Sequence, residues 1–108
     1  MKILEYLDDT HASPFRDWFD DLDVLPAAKV STALARLSLG NTSNVKGVGS
    51  GVLELKIDFA KGYRIYFGKD GEQLVILLAG GTKQRQQRDI VAAQSRWQNY
   101  KDRKKGKI

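Results

Sequence analysis

The chain switches between two spacings of apolar side chains, one typical of helices and one typical of strands. Residues 13–22 and 27–39 carry apolar side chains at positions i, i+3, i+4 and i+7, which predicts two helices. Ser13 and Pro14 suit the start of the first, because serine caps free N–H groups and proline fits the first turn. The short apolar run 2–7 before them predicts a strand.

The second half of the chain predicts three strands and a last helix. Residues 52–59 and 63–67 alternate between apolar and polar side chains, and residues 74–79 are apolar throughout, so this third strand should be covered on both faces. Short turns between them predict an antiparallel meander. Residues 82–103 return to helical spacing. The intervening residues 40–51 contain four glycines, and we expect a loop there.

This order of elements predicts one α+β domain spanning residues 1–108. We expect a small twisted antiparallel sheet, made of the N-terminal strand and the meander, with the helical hairpin on one face and a C-terminal helix. Residues 101–108 should form a frayed basic tail. The predicted core residues are Trp18, Phe19, Leu34, Leu55, Ile65 and Ile76.

Composition excludes several kinds of chemistry. The chain has no cysteine, which excludes disulfides, thiol catalysis and zinc–cysteine sites. A single histidine, His11, excludes a histidine pair or a multi-histidine metal site within one chain. We expect no metal and no cofactor. No apolar run approaches the roughly 18 residues of a membrane helix, and the N-terminus lacks a signal-peptide pattern, so we expect a cytoplasmic protein without a membrane partner.

Charge is unevenly distributed along the chain, whose net charge is +5. Residues 1–25 hold seven acids and two bases, whereas residues 83–108 hold nine bases and two acids. The basic C-terminal segment should attract phosphate-bearing partners or an acidic protein segment. The alternative is an ordinary solvated basic helix.

A basic surface is expected on the polar face of the meander. Strand alternation places Lys56 and Arg64 on neighbouring strands of that face, together with Glu54 and Tyr66. Lysine and arginine can stabilise charge and move protons in metal-free RNA phosphate chemistry. The alternative is a solvated sheet face without a catalytic role. The further basic residues near this surface are Lys61 in the turn and Lys83 and Arg85 after the last strand.

Two stretches, LELKIDFAKGYRIYF and LVILLAGGTKQRQQRDIVAA, resemble a known family. They are similar to the RelE/HigB toxins of the RelE/ParE superfamily, and especially to the addiction-module killer proteins of type II toxin–antitoxin systems. The resemblance covers about residues 2–100 and implies a RelE-like fold. The implied activity is ribosome-dependent mRNA cleavage, in which an RNA 2′-OH attacks the adjacent phosphate.

The resemblance also implies roles for individual residues. Arg64 matches the arginine of the family's GYR strand and would stabilise the negative transition state. Lys56 is the candidate general base or phosphate clamp, and Lys83 would contact phosphate or assist the leaving oxygen. The implied RNA-binding residues are Lys61, Tyr66, Arg85 and Arg88.

This sequence departs from its relatives at three places. Glu54 stands where some relatives carry a second basic residue. Asp89 and Ile90 stand where some relatives carry a catalytic tyrosine. HigB-type members use histidines in the site, whereas the one histidine of this chain, His11, lies far from the motif. Relatives on the ParE side share the fold but inhibit DNA gyrase without cutting RNA. Gyrase inhibition and a non-catalytic binding role are therefore alternative hypotheses.

The resemblance implies a cognate antitoxin, expected to be a helix-turn-helix protein encoded next to this gene. The ribosome and mRNA are the other expected partners, and promoter DNA would be bound only through the antitoxin complex. The basic C-terminal segment gives a physical reason for contact with an acidic partner. The antitoxin could cover Arg64 and Lys83, or dock elsewhere and block access to the ribosomal A site through its bulk.

Overall fold

The computed structural model describes residues 1–106 and contains five strands and three α-helices in that range. The strands are β1 (Lys2–Glu5), β2 (Val45–Gly49), β3 (Val52–Ile57), β4 (Tyr63–Asp70) and β5 (Leu74–Thr82). The helices are α1 (Pro14–Asp20), α2 (Val24–Ser38) and α3 (Gln86–Lys104), the last preceded by a 3₁₀ turn over Lys83–Arg85. The predicted α+β class is confirmed.

Local capping chemistry explains the start of α1, whereas α2 begins without a side-chain cap. Ser13 precedes α1, and its hydroxyl accepts a hydrogen bond from the backbone N–H of Arg16 at 3.0 Å. Asp23 precedes α2, which begins three residues earlier than predicted. Pro26 therefore lies inside the first turn of α2, where its missing N–H has no helical partner to lose.

The sheet is mixed, with the strand order β1-β5-β4-β3-β2. The predicted meander of β3, β4 and β5 is antiparallel as expected. β1, however, runs parallel to β5, with Lys2 opposite Leu74 and Glu5 opposite Leu77. Strand periodicity carries no information on direction. β1 and β5 are far apart in the sequence, with α1, α2 and the strands β2, β3 and β4 between them, and this long separation leaves room for the parallel pairing.

Part of the predicted glycine-rich loop forms a strand. Residues 45–49 make β2, which pairs antiparallel with β3 and shifts register between Gly47 and Gly49. Val45 and Val48 supply the half-buried side chains of this edge strand. The expectation of a continuous loop was wrong because sheet pairing outweighs the low strand propensity of glycine.

Helices cover both faces of the sheet. α1 and α2 pack on one face, where Phe15 and Val30 join Leu55 and Ile65. α3 packs on the other face through Ala93 and Trp97 against a second cluster that includes Tyr66, Ile76 and Leu78. Leu55, Ile65 and Ile76 are buried as predicted, and Trp18, Phe19 and Leu34 are partly buried against the first cluster. The face expected to carry a solvated basic surface is therefore largely interior.

Two consecutive glycines bring the helices close to β5. A Cβ on Gly80 would overlap the Trp18 ring of α1, and a Cβ on Gly81 would overlap the Asp89 carboxylate of α3. The two glycines face opposite sides of the sheet because successive strand residues alternate. The GG pair of the sequence motif thus allows close helix packing on both faces.

The basic C-terminal segment continues α3 to Lys104. Arg103 donates to Leu7 O and to Asp9 Oδ1, and Lys104 Nζ lies 2.6 Å from Asp70 Oδ2. The prediction of a frayed tail is therefore wrong for residues 101–104, because these contacts hold the last helical turn. Residues 107–108 of that predicted tail lie outside the described residues. No helix within residues 1–106 is long and apolar enough to cross a membrane.

Candidate functional site

The sheet register brings four predicted basic residues to one end of the sheet. Lys56 of β3 lies directly opposite Arg64 of β4. Lys61 lies in the turn that joins these strands, and the backbone N–H of Lys83 donates to Gly62 O at 3.0 Å in the same turn. We call Lys56, Lys61, Arg64 and Lys83 the basic end of the sheet.

Gly62 in this turn lies close to the side chains of both Arg64 and Lys83. A Cβ on Gly62 would lie 3.1 Å from Arg64 Nη1 and 3.7 Å from Lys83 Cβ. Lys61, Thr82, Lys83 and Gln84 line an open cleft of about 510 Å³ at this position. Lys61 and Lys83 are exposed, and neither forms an ion pair within residues 1–106. Two free ammonium groups therefore border a cleft large enough for a phosphate group.

Arg64 is held in place by a buried carboxylate. Its side chain is 7% exposed, and its Nε lies 3.8 Å from Oε1 of Glu54, which is 1% exposed. Arg64 Nη1 also donates to Gly62 O at 3.3 Å. A buried charge is costly unless it is paired, so Glu54 stabilises the guanidinium at the basic end. Arg64 Nε itself makes no hydrogen bond within the described residues.

Glu54 is itself fixed by two further side chains. Gln86, the first residue of α3, donates its Nε2 to Glu54 Oε2 at 2.8 Å. Lys46 of β2 places its Nζ 3.8 Å from Glu54 Oε1. Sequence reasoning placed Glu54 on the polar face of the meander and noted it as a departure from related sequences, but gave it no role. In the structure it links β2, β4 and α3 behind Arg64.

Tyr66 has no free ring face. It is 0% exposed beneath α3, and its hydroxyl has no hydrogen-bond partner within residues 1–106. Burial, followed by the charge of Glu54, raises the pKa of the Tyr66 phenol. The prediction that Tyr66 binds RNA does not fit this structure, because α3 covers the sheet face that was expected to be open.

Arg85 and Arg88 lie apart from the basic end, on a groove between α1 and α3. Both side chains are exposed. The groove encloses about 400 Å³, and Trp18 of α1 and Arg96 of α3 also line it. The structure therefore divides the lysines and arginines of the predicted site between two neighbouring surfaces.

Asp89 lies between these two surfaces and was not a predicted site residue. It sits over Gly81, and its Oδ2 atom is buried without a hydrogen-bond partner in the described part of the chain. Burial raises the pKa of Asp89, partly opposed by Arg85, Arg88 and Arg96. A carboxyl group in this state can exchange a proton closer to neutral pH than an exposed aspartate.

A third basic surface borders Lys56 on the side of α2. Lys29 and Arg36 of α2, with Asn44 and Lys56, line a groove of about 310 Å³. Two turns of helix separate Lys29 from Arg36, which places both on one face of α2. Sequence reasoning missed these two residues, although their i, i+7 spacing could have indicated a shared face.

The site offers no cluster suited to a metal ion. No group of three or more histidine, cysteine or acidic side chains lies close enough to hold one within residues 1–106. His11 is exposed in the turn between β1 and α1.

Comparison with known proteins places the chain in a family. Residues 17–98 match the family described as "Phage derived protein Gp49-like". The chain belongs to the Gp49-like family. This family is toxin-like, of the RelE/HigB type found in toxin–antitoxin systems. The Gp49-like chain is also 42% identical over 80 residues to a Haemophilus influenzae protein called "Uncharacterized protein". The aligned residues cover 73% of this chain and 81% of that protein.

Proposed function

We propose that this Gp49-like protein is the toxin of a type II toxin–antitoxin module, and that it inhibits translation by cutting mRNA on the ribosome. The observation that carries the proposal is Arg64, held by buried Glu54 beside Lys56 and Lys83. Family membership supports the toxin assignment. The cognate antitoxin, the ribosome and mRNA are the proposed partners.

The proposed reaction uses only side chains of the basic end. The RNA 2′-OH attacks the adjacent phosphorus, the bond from phosphorus to the 5′-oxygen breaks, and the products are a 2′,3′-cyclic phosphate and a 5′-hydroxyl. Arg64 stabilises the negative charge that develops on the phosphoryl oxygens, and its low exposure strengthens this interaction. Lys56 accepts the 2′-OH proton or clamps the phosphate, and Lys83 protonates the leaving oxygen or contacts phosphate.

The surrounding basic surfaces would hold the RNA. Lys61 borders the cleft beside Lys83. The α2 groove with Lys29 and Arg36 extends the positive surface beyond Lys56, in a position to follow a phosphate backbone. Arg88 and Arg85, on the other groove, remain proposed RNA contacts on the far side of Thr82.

Primer extension on cellular mRNA after induction tests the proposal. Wild-type protein should give new 5′ ends within translated messages and arrest growth. Arg64→Ala should remove both effects, with a loss of roughly 10²–10³ in cleavage rate, because one charge-stabilising group of the transition state is gone. Circular dichroism should show that this variant keeps the fold.

A matched control and a second assay make the result decisive. Arg16→Ala removes an exposed arginine remote from the basic end, and it should remain toxic. A gyrase supercoiling assay on the same wild-type preparation separates the ParE-like alternative. Growth arrest with intact mRNA and inhibited gyrase would overturn the nuclease proposal, and toxicity that survives in Arg64→Ala would show that the assigned centre is wrong.

A further inference from the structure

The C-terminal half of β5 has a neighbouring strand on one side only. β1 pairs with the first four residues of β5, and the last backbone bond on that side runs from Tyr6 N to Leu77 O. β4 pairs with β5 to its end. Within residues 1–106, residues 78–82 therefore leave one backbone edge without a strand partner. At its start, the carbonyl of Leu78 accepts a hydrogen bond from Arg96 Nη1 at 3.0 Å.

This free edge lies in the groove of about 400 Å³ between α1 and α3. Pro14 and Trp18 of α1 form one wall, and both are only partly buried. The opposite wall presents Ala92 and three guanidinium groups along one stripe of the helix and its leading turn. These are Arg85, Arg88 and Arg96.

The charges in the groove are not balanced. Arg85 and Arg88 form no ion pair with a carboxylate within residues 1–106, and Arg96 donates to a backbone carbonyl. Asp89 is the one carboxylate that lines the groove in the described part of the chain, and it is partly buried. Three arginines against one aspartate leave a positive groove beside a free strand edge.

We propose that this groove binds an extended acidic segment of a partner protein, which adds to β5 as a short strand. Its backbone would pair with residues 79–82, its carboxylates would contact Arg85 and Arg88, and an apolar side chain would pack on Trp18. The inference rests on the proposed function for the partner's identity, an antitoxin. RNA, which the proposed function also places at Arg85 and Arg88, lacks the alternating N–H and C=O groups that a strand edge pairs with, so the two ligands would compete for this groove and only the protein segment would pair with β5.

Nuclear magnetic resonance of the full ¹⁵N-labelled chain tests the proposal with three designed peptides. The first alternates valine with aspartate or glutamate, the second is the same peptide N-methylated at every second residue, and the third carries lysine in place of the acids. The acidic peptide should shift the amide signals of residues 79–82. N-methylation should weaken binding at least tenfold, because it removes the N–H groups that strand pairing needs. The lysine peptide should not bind.

Charge variants locate the binding groove. Arg85→Gln with Arg88→Gln should weaken binding of the acidic peptide about tenfold, because these are the arginines proposed to contact its carboxylates. Lys101→Gln with Lys105→Gln removes the same charge from the far end of α3 and should change the affinity less than twofold. Both double variants replace surface or half-exposed side chains, and unchanged spectra elsewhere would show that they fold.

Three outcomes would overturn the inference. Equal binding of the N-methylated peptide would show a purely electrostatic contact, and shifts confined to another surface would place the partner elsewhere. If oligouridylate shifts residues 79–82 and the acidic peptide does not, the groove binds RNA. Toxicity and mRNA cleavage by the wild-type protein test the proposed function separately, since neither depends on these peptides.

Discussion

Glu54 is a buried counter-charge that holds Arg64 in position at the basic end of the sheet. Strand alternation correctly placed Glu54, Lys56, Arg64 and Tyr66 on one face of the meander. What alternation could not show is that α3 covers most of that face. A glutamate that the sequence suggests is a surface residue becomes a buried counter-charge 3.8 Å from the proposed catalytic arginine.

Glu54→Gln should lower both stability and cleavage. The substitution keeps an acceptor for Gln86 but leaves the Arg64 charge uncompensated in a buried site, which should cost roughly 3 kcal/mol. The single-turnover cleavage rate should fall about tenfold with little change in ribosome affinity, because Glu54 positions Arg64 without touching RNA. Urea unfolding and single-turnover kinetics on purified ribosomes measure the two effects.

The control for this prediction is an exposed ion pair of the same length. Arg16 Nη1 lies 3.8 Å from Asp20 Oδ1, and both side chains are largely exposed. Asp20→Asn should cost less than about 1 kcal/mol, because exposed pairs contribute little, and it should leave cleavage unchanged. If Glu54→Gln were as harmless as Asp20→Asn, the positioning role would be wrong.

At the scale of elements, periodicity predicted most helices and strands but not how they are arranged. The meander, α1 and α2 follow directly from apolar spacing. The side of the sheet on which α3 packs depends on long-range contacts, such as Trp97 against the second core cluster, which local spacing does not encode. β2 was missed because its two glycines mask a strand whose stability comes from pairing with β3.

At Gly68, the Trp97 side chain of α3 lies directly against β4. A Cβ on Gly68 would lie 2.5 Å from the Trp97 ring, nearer than real contacts allow. Gly68→Ala should therefore destabilise the protein by about 1–3 kcal/mol through overpacking, measured by urea unfolding. Trp97→Leu should relieve part of that cost, so the two substitutions together should be less harmful than the sum of their separate effects.

Gly47 offers the matched control for Gly68. It also lies in a strand, and a Cβ there would meet no atom within 4 Å. Gly47→Ala should be neutral or stabilise slightly, because alanine lowers the entropy of the unfolded chain. Equal changes in the free energy of unfolding at the two positions would show that overlap with the Trp97 ring is not what makes a side chain at position 68 costly.

At the scale of the whole molecule, the fold brings the charged ends of the chain together. Along the sequence, acidic residues concentrate near the N-terminus and basic residues near the C-terminus, which suggests that the basic C-terminal segment attracts other molecules. Instead, Arg103 near the C-terminus pairs with Asp9 near the N-terminus, and Lys104 pairs with Asp70. Part of the basic C-terminal segment therefore holds α3 against the sheet, and other lysines and arginines line the three grooves described above.

The attachment of α3 should weaken at alkaline pH. Tyr100 donates its hydroxyl to Asp70 Oδ2 at 2.7 Å, and burial, with this bond second, raises the pKa of Tyr100 to about 12. An unfolded tyrosine ionises near pH 10, so the folded state keeps a proton that the unfolded state has lost. This stability is present below pH 10 and is lost as the pH rises towards 12.

Urea unfolding across this alkaline range tests the contribution of Tyr100. The wild-type free energy of unfolding should decline above about pH 10, and Tyr100→Phe should reduce the decline. Some decline should remain in the variant, because burial also raises the pKa of Tyr66. Identical pH profiles for the two proteins would show that Tyr100 is not coupled to folding.

The positive surface as a whole should make ribosome binding depend on salt. Each phosphate neutralised by a lysine or arginine releases counterions, so the logarithm of the affinity should fall linearly with the logarithm of salt concentration. Lys29→Gln with Arg36→Gln removes two charges from the α2 groove and should reduce that slope by roughly 1–2 if both contact RNA.

Lys2→Gln with Lys69→Gln removes two exposed charges outside that groove and should leave the slope unchanged. The measurement is ribosome co-sedimentation over a series of potassium chloride concentrations at fixed magnesium. Equal slopes for the two double variants would mean that the α2 groove makes no RNA contact, and that positive charge acts only through the net charge of the molecule.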